Sequence, residues 1–393
     1  MLRQLEGSAA VARTVAHCRP DVVAAYPISP QTHIVEGVAR LVREGEVGRC
    51  EYLNVDSEFS ALSACIGAAA TGARAYTATA SQGLLFMAEA LFNASGLGLP
   101  IVMTVANRAI GAPINIWNDH SDAMSQRDCG WIQLYATSNQ EAADLHVQAF
   151  ALAEQLALPV MVCMDGFVLT HAYEEIDVPD ADAVDAFLPR VAPQHVLDPD
   201  DPMTIGAMVG PEAFTEVRWL MHRKQLDALE AIPRIAGRFA VAFGRASGGL
   251  VRGHRLVGAD TVIVTLGSVM GTVEDLVDEL RDEGAAVGAL AIGCFRPSPV
   301  AELRDALSGA RRVVVVERAF APGVGGIVGQ DVRLALSGLD CAVHDVVAGL
   351  GGRPVTRRSL RGVVDRALAG QLDGGPVFLD LRDEVVAGVG RRP

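Results

Sequence analysis

The sequence predicts an α/β protein built around parallel β-sheets. Short apolar runs alternate with longer helical patterns along most of the chain. Because neighbouring parallel strands need a crossover of about a dozen residues, this alternation indicates right-handed β-α-β units. The composition agrees, since 40 of the 393 residues are glycine and only 5% are aromatic. Such a texture is typical of buried parallel strands joined by tight turns.

The first part of the chain justifies this fold class element by element. Residues 1–20 predict an amphipathic helix, and residues 21–28 a short strand that ends at Pro27 and Pro30. Residues 31–45 are helical, with Gly45 at the end. The alternation continues with predicted strands at 50–56, 73–80, 99–106 and 160–167, and predicted helices at 57–72, 81–96 and 141–159.

A change in composition divides the chain. An acidic, proline-rich segment predicts an irregular arm near 177–210, and 211–245 predicts a long helix. We therefore expect a first domain over 1–240, a linker over 241–258 and a second α/β domain over 259–393. The second domain has predicted strands at 261–268, 286–293 and 311–318, predicted helices at 273–284, 301–307 and 328–336, a turn at 295–299, and a short basic tail.

Charge and cysteine usage limit the partners and the compartment. The net charge of −14 argues against a nucleic-acid partner. No two of the seven cysteines form a C-x-x-C pair, so a local zinc or iron–sulfur signature is absent. The N-terminus has no apolar signal segment, and the charge-free run 90–107 contains polar residues, Gly and Pro typical of a turn. We expect a soluble cytoplasmic protein without membrane contact.

A glycine-rich turn at 321–330 follows an apolar strand and precedes a helix. This context allows a Rossmann-type nucleotide site. The spacing is G-x-G-x-x-x-G, one residue longer than the dinucleotide fingerprint, and no acidic residue closes the next strand. A turn that lets helix and strand pack closely is the alternative interpretation.

Two other features carry candidate chemistry. Glu58 begins a helix of small residues, where it either favours the helix dipole or meets a planar ligand. The long loop after the strand 99–106 contains Arg108, which could bind a carboxylate through its two-pronged guanidinium. Asp119, His120 and Asp122 of this loop match no recognised metal spacing, so we expect them to hydrogen-bond the loop instead.

Ordered motifs along nearly the whole chain resemble the alpha subunit of 2-oxoacid:ferredoxin oxidoreductases, in particular the multi-subunit pyruvate enzymes. The motifs are YPISPQT (26–32), DSEFSAL (56–62), TASQGL (79–84), ANRAIGAPINIWNDHSD (106–122), RDCGWIQLY (127–135), MDGFVLTH (164–171), LGSVMGT (266–272), FRPSP (295–299) and GLGGRPVT (349–356). The resemblance implies a parallel-sheet domain of the pyrimidine-binding type of thiamine enzymes, followed by an α/β domain like the C-terminal domain of transketolase.

The resemblance also implies roles for particular residues. Glu58 falls on the glutamate that contacts N1′ of the thiamine aminopyrimidine. Ser29 and Arg108 fall on the residues that bind the 2-oxoacid carboxylate. Ser29 replaces the threonine of the family, which keeps the hydroxyl and loses a methyl group. Pro27, Ile28 and Ser81 are further expected cofactor contacts, and no metal ligand is expected in this chain.

The segment VCMDGF (162–167) lacks the Gly-Asp-Gly motif that holds magnesium and diphosphate in thiamine enzymes. The resemblance therefore implies a beta subunit carrying that half of the site, with a gamma subunit and a ferredoxin-like delta subunit carrying iron–sulfur clusters. The implied reaction converts pyruvate and coenzyme A to acetyl-CoA and CO2, with electrons passed to ferredoxin. The alternatives are a branched-chain 2-oxoacid, 2-oxoglutarate or oxalate as substrate, a Rossmann-type nucleotide-binding protein, or a non-catalytic partner of the same fold.

Overall fold

Two β-sheets with mainly parallel strands form the framework of the protein. A computed structural model describes residues 2–191, 196–372 and 374–389. The elements up to residue 243 are β1 Arg3–Glu6, α1 Gly7–His17, β2 Val22–Ala25, α2 Thr32–Arg43, β3 Glu51–Asn54, α3 Glu58–Ala70, β4 Ala75–Thr79, α4 Ser81–Phe86, α5 Ala88–Gly96, β5 Ile101–Asn107, α6 Ser121–Ser125, β6 Ile132–Tyr135, α7 Asn139–Leu156, β7 Val160–Asp165, β8 Tyr173–Ile176, α8 Ala181–Phe187 and α9 Phe214–Phe243.

The second half of the chain builds a sheet of its own. Its elements are β9 Val251–His254, β10 Thr261–Thr265, α10 Val269–Asp282, β11 Val287–Ile292, β12 Cys294–Arg296, α11 Val300–Leu307, β13 Arg312–Glu317, α12 Val328–Ala335, β14 Ala342–Val347, a 3-10 turn Leu350–Gly352, α13 Arg357–Leu368, β15 Val377–Phe378 and α14 Asp383–Val389.

The strand orders confirm the predicted α/β class. The first sheet has the order β12-β6-β7-β5-β4-β2-β3 and the second β15-β14-β13-β10-β11-β9. All neighbouring strands pair in parallel except β12 and β9, which are antiparallel edge strands. Since β12 comes from the second half of the chain and pairs with β6, the two halves share a sheet.

One apolar core joins the two sheets. Met103 and Cys163 of the first sheet belong to the same buried cluster as Val264 and Val315 of the second. Phe295 on β12 packs its ring edge against Tyr135, with the ring centroids 6.1 Å apart. Burial of these side chains removes about 1.5–3 kcal/mol of unfavourable apolar hydration for each large residue. The shared core fixes the position of the second sheet against the first.

The N-terminus differs from its prediction. The helical pattern predicts one helix over residues 1–20, but Arg3–Glu6 is strand β1 and the helix begins only at Gly7. Strand β1 pairs antiparallel with Tyr173–Ile176, a strand that the sequence did not predict. The reason is tertiary, since the partner strand lies far away in sequence and its pairing outweighs the local helical periodicity.

Other boundaries also differ. The helix predicted at 81–96 is divided at Met87 into α4 and α5. The segment predicted as a linker, 241–258, contains strand β9 of the second sheet. The expected basic tail contains α13, whose Leu360 and Val364 are buried against the second sheet. Within the irregular arm near 177–210, α8 is the one regular element among the described residues, and 192–195 lie outside them. None of the described helices combines the length and apolar character needed to cross a membrane.

Candidate active site

The residues singled out from the sequence lie at the carboxyl end of the first sheet. Ser29 follows β2, Ser81 follows β4 and Arg108 follows β5, while Glu58 begins the helix that follows β3. Because these strands are parallel, their carboxyl ends lie along the same edge. This edge is where α/β sheets bind their ligands.

Arg108 and Ser29 lie in direct contact. The guanidinium Nη1 of Arg108 donates to the carbonyl oxygen of Ser29 at 2.8 Å, and its Nε donates to the carbonyl oxygen of Asn115 at 3.2 Å. Arg108 is buried, whereas Ser29 is exposed. The arginine therefore fixes the turn after β2, while the Ser29 side chain remains accessible to a ligand.

Glu58 is buried without a hydrogen-bond partner among the described residues. Its residue is 8% exposed. Gly83 faces the carboxylate: a Cβ at this position would lie 2.7 Å from Glu58 Oε1 and 2.6 Å from Thr79 Oγ1. The Thr79 hydroxyl is also buried and has no partner within the described part of the chain. Buried polar groups are normally paired, so two unpaired groups around a glycine mark a place suited to a polar ligand.

The other expected cofactor contacts differ in their surroundings. Pro27 is exposed and Ile28 is half-buried in the turn that carries Ser29. Ser81 is fully buried, and its hydroxyl donates to the carbonyl oxygen of Ala109 at 2.5 Å. The Ser81 hydroxyl therefore binds the loop between β5 and α6, residues 108–120, which we call the Arg108 loop.

Asp122 hydrogen-bonds the loop as the sequence predicted, and it also binds Ser81 at the end of β4, which the sequence did not indicate. Its carboxylate accepts hydrogen bonds from the backbone N–H groups of Ser81 and Arg108, each at 2.9 Å, and from Asn107 Nδ2 at 2.8 Å. Burial raises the pKa of Asp122 to about 6, although these hydrogen bonds oppose the rise. The signal available in the sequence is the density of polar residues in the loop, which predicts internal hydrogen bonding.

The loop is also bound to the second half of the chain. Asp119 accepts from the Gly351 N–H at 3.1 Å, and the Asn118 carbonyl accepts from the Gly352 N–H at 2.7 Å. A Cβ at Gly352 would lie 2.4 Å from the Cβ of Trp117, and its φ is +82°. Glycine is thus required here both by the backbone conformation and by the close approach.

The glycine-rich turn at 321–330 already holds a carboxylate. Glu317, at the end of β13, accepts from the N–H groups of Ile327, Val328 and Gly329 at 2.8, 2.9 and 3.1 Å. These donors are the ones that a nucleotide phosphate would need at a helix N-terminus. The arrangement favours the packing interpretation of the turn over the Rossmann alternative.

Comparisons with known proteins agree with this architecture. The family model described as pyruvate flavodoxin/ferredoxin oxidoreductase, thiamine diP-bdg, matches residues 13–236. The model described as pyruvate:ferredoxin oxidoreductase core domain II matches residues 259–360. Pyruvate synthase subunit PorA of Methanosarcina barkeri is 45% identical, with 97% of each chain covered. Ketoisovalerate oxidoreductase subunit VorA of Pyrococcus horikoshii is 39% identical, with 92% of each chain covered.

Solved structures share the fold at lower identity. A 2-oxoglutarate:ferredoxin oxidoreductase from Magnetococcus marinus matches with a TM-score of 0.70 and 20% identity, over 93% of this chain and 65% of that chain. A split-gene transketolase matches with a TM-score of 0.52 and 15% identity, over 94% of this chain and all of the other. The fold is therefore that of the thiamine-dependent enzymes. Within this class, the chain belongs to the pyruvate flavodoxin/ferredoxin oxidoreductase family and is a subunit of an oxidoreductase, which confirms the resemblance inferred from the motifs.

Proposed function

We propose that this chain is the alpha subunit of a thiamine diphosphate-dependent pyruvate:ferredoxin oxidoreductase. The reaction is oxidative decarboxylation of pyruvate, with coenzyme A taking the acetyl group, CO2 released and ferredoxin reduced. The observation that carries the proposal is the grouping at one sheet edge of the buried Glu58, which has no hydrogen-bond partner among the described residues, with the contacting pair Arg108 and Ser29. The subunit names of the PorA relatives support it.

The residues around Glu58 fit the aminopyrimidine of the cofactor. Glu58 is buried, and neither its carboxylate nor the buried Thr79 hydroxyl has a partner among the described residues. Gly83 has no side chain to cover them, since a Cβ there would lie within 2.7 Å of both. Pro27 and Ile28 would line the same edge, and Ser81 would hold the loop in place. When bound, thiamine diphosphate supplies the nucleophilic carbon that reacts with the 2-oxo group. Glu58 would hold a proton or a strong hydrogen bond at the pyrimidine N1′.

Arg108 and Ser29 would bind the substrate carboxylate. Arg108 is held by two carbonyl groups, so its guanidinium is already oriented, and Ser29 offers an exposed hydroxyl beside it. Orientation of this kind reduces the entropy that the reaction must lose. One cation and one hydroxyl suit a monocarboxylate such as pyruvate. Arg127, the other candidate cation, donates to the Met124 carbonyl at 3.1 Å, which argues against a dicarboxylate such as 2-oxoglutarate.

A branched-chain 2-oxoacid is the second candidate substrate. It is favoured by the 39% identity to the VorA subunit and by Ser29, which lacks the methyl group of a threonine. One methylene in a pocket changes specificity by only about 1–3 kcal/mol. We therefore expect measurable activity with 2-oxoisovalerate beside a preference for pyruvate.

Partner subunits would complete the enzyme. The chain lacks the Gly-Asp-Gly motif. In the most similar segment, 162–167, the carboxylate of Asp165 is already bonded to His120 and Arg318. A beta subunit would hold the diphosphate and Mg2+, and gamma and ferredoxin-like delta subunits would complete the complex, with iron–sulfur clusters on the partners. The complex would work in the cytoplasm and pass electrons to ferredoxin.

The test is reconstitution. The chain is co-expressed with its partner subunits, and 2-oxoacid-dependent reduction of ferredoxin is measured with and without coenzyme A. We expect pyruvate to support turnover only in the complete complex, because this chain contains half of the cofactor site. Turnover by the isolated chain, or a preference of more than about tenfold for 2-oxoisovalerate or 2-oxoglutarate in kcat/KM, a difference of about 1.4 kcal/mol, would contradict the proposal.

A further inference from the structure

Two histidines and a glutamate meet beside the two-stranded sheet formed by β1 and β8. Glu6 ends β1, His33 lies in the first turn of α2, and His171 precedes β8. Their ligand atoms all lie within 4.8 Å of one another. We call these three residues the His33–His171 cluster. It is brought together by the antiparallel pairing of β1 with β8, in which Glu6 is opposite Tyr173.

The side chains of the cluster already interact. His33 Nδ1 lies 2.6 Å from Glu6 Oε1. The imidazole rings of His33 and His171 have their centroids 4.6 Å apart, with the planes tilted by 33°. His33 is exposed and has room to turn, whereas Glu6 and His171 are half-buried. The cluster is therefore partly fixed and partly adjustable, and solvent ions can reach it.

A neighbouring hydroxyl contacts one ring nitrogen of His171 and leaves the other for a ligand. His171 Nδ1 lies 2.7 Å from Thr170 Oγ1, which also accepts from the Phe167 N–H at 2.8 Å. In the tautomer whose Nδ1–H donates to Thr170 Oγ1, the lone pair of His171 is on Nε2 and can bind a metal ion. An outer hydrogen bond of this kind fixes the tautomer of metal-ligating histidines.

The donor set and its charge suit one class of ligand. Metal ions bind the neutral imidazole of histidine and the ionised carboxylate of glutamate. Two imidazoles and one carboxylate form a three-ligand set typical of Zn2+ and its neighbours among the divalent transition metals. Hard ions such as Mg2+ and Ca2+ prefer sets made of oxygen.

We propose that the His33–His171 cluster binds a divalent transition-metal ion, with Glu6, His33 and His171 as ligands and water in the remaining position. The ligand atoms must close to about 3.3 Å, the separation required around a tetrahedral ion with bonds near 2.0 Å. Rotation of the exposed His33 side chain provides most of this movement. The ion would link β1, α2 and the segment before β8.

The consequence is structural. Phe167 packs against both His171 and Trp117, with ring centroids 4.8 Å apart in each pair. Trp117 belongs to the Arg108 loop, and α2 follows the turn that carries Ser29. A metal ion in the cluster would therefore stiffen the side of the protein that supports the candidate active site, without contacting the substrate.

The experiment uses the full chain without an affinity tag, freed of metal by a chelator. Co2+ is titrated while visible absorption is recorded, then displaced by Zn2+, and the thermal midpoint is measured with and without Zn2+. We expect one Co2+ per chain with absorption bands of a low-coordinate ion, and a higher midpoint in Zn2+, because an ion that binds the folded state alone stabilises it.

Variants assign the binding to the cluster. His33→Gln and His171→Gln should each abolish the Co2+ bands and the Zn2+-dependent rise of the midpoint. Thr170→Val should weaken binding by roughly 10- to 100-fold through the lost outer hydrogen bond. His222→Gln, on the exposed face of α9, is the matched control and should bind as the parent does. Circular dichroism without metal checks that each variant is folded. If one of the histidine variants is not folded, Glu6→Gln takes its place in the experiment. Absence of Co2+ bands in the parent, or bands that survive in folded His33→Gln and His171→Gln, would overturn the proposal.

Discussion

Asp165 Oδ1 lies 2.5 Å from His120 Nε2, and this contact connects the end of β7 with the Arg108 loop. The other oxygen of Asp165 accepts from the Ser268 N–H at 2.9 Å and from Arg318 Nη1 at 3.2 Å, both in the second half of the chain. Burial alone would raise the pKa of Asp165, but His120 and Arg318 hold it below its usual range. One ionised carboxylate thus joins three parts of the protein.

Asp165→Asn should destabilise the protein strongly. The amide cannot balance the buried Arg318 guanidinium, and loss of one partner of a buried ion pair costs about 3–5 kcal/mol. The midpoint of urea unfolding measures the change. Asp278→Asn, which removes an exposed carboxylate paired with Arg255, is the control and should have little effect. Equal midpoints for Asp165→Asn and the parent would contradict the role of Asp165.

Glu317→Gln should flatten the dependence of stability on pH. Burial raises the pKa of Glu317 to about 7 from 4.5, so the folded state favours the protonated acid. Its contribution to stability is complete below pH 4.5 and is lost as the pH rises through 7, an effect of about 3 kcal/mol.

Urea midpoints between pH 4.5 and 8 test this expectation. The parent should lose stability over this range, and Glu317→Gln should lose less. A residual slope should remain because the pKa of Asp122 is also raised, to about 6. Glu230→Gln removes an exposed carboxylate and serves as the control. If the stability of Glu317→Gln fell with pH as steeply as that of the parent, Glu317 would not be the source of the pH dependence.

Glu58→Gln should leave the fold intact and slow proton exchange at C2 of thiamine in the assembled complex. An acid–base contribution of this type is worth of order 10²–10⁴-fold in rate. Deuterium exchange followed by NMR measures the step directly. Glu89→Gln, an exposed position on α5, is the control. An exchange rate equal to that of the parent would exclude Glu58 from the activation of the cofactor.

Arg108→Ala should lower kcat/KM for all 2-oxoacids alike. The variant would remove the proposed charged contact to the carboxylate that every substrate shares, worth about 1.5–3 kcal/mol or roughly 10- to 100-fold. Arg108→Ala also leaves the carbonyl groups of Ser29 and Asn115 without their donor. Because a lysine ammonium does not reproduce the planar guanidinium, Arg108→Lys should restore little of the lost activity. Steady-state kinetics of the complex with pyruvate and 2-oxoisovalerate test this, with Arg127→Ala as the control. A loss confined to one substrate would argue for a role in the side-chain pocket.

Ser29→Thr should change the ranking of substrates. The added methyl group reduces the space beside Arg108 while the hydroxyl is retained, so pyruvate should gain on 2-oxoisovalerate. The expected change in the ratio of kcat/KM values is about 1–3 kcal/mol. Ser29→Ala, which removes the hydroxyl and adds no bulk, should instead lower both values together. A ratio unchanged in Ser29→Thr would mean that the position does not face the substrate side chain.

The sequence by itself determined the α/β class and most of the strands and helices. Apolar periodicity and the placing of Gly and Pro are local properties, so β2, β5 and β7 lie close to their predicted positions. Parallel pairing brings the residues after such strands to one edge, so the order of elements along the chain is enough to group Ser29, Arg108 and Glu58.

The tertiary structure decided the rest, because the contacts involved join residues far apart in the chain. The helical pattern of residues 1–20 does not reveal β1, whose partner strand begins at Tyr173. In the sequence, Asp122 and Asp165 do not differ from ordinary loop and strand carboxylates. Whether a carboxylate binds a ligand, an arginine or a backbone N–H depends on which groups the fold places within about 3 Å of it, and local sequence does not contain those distances.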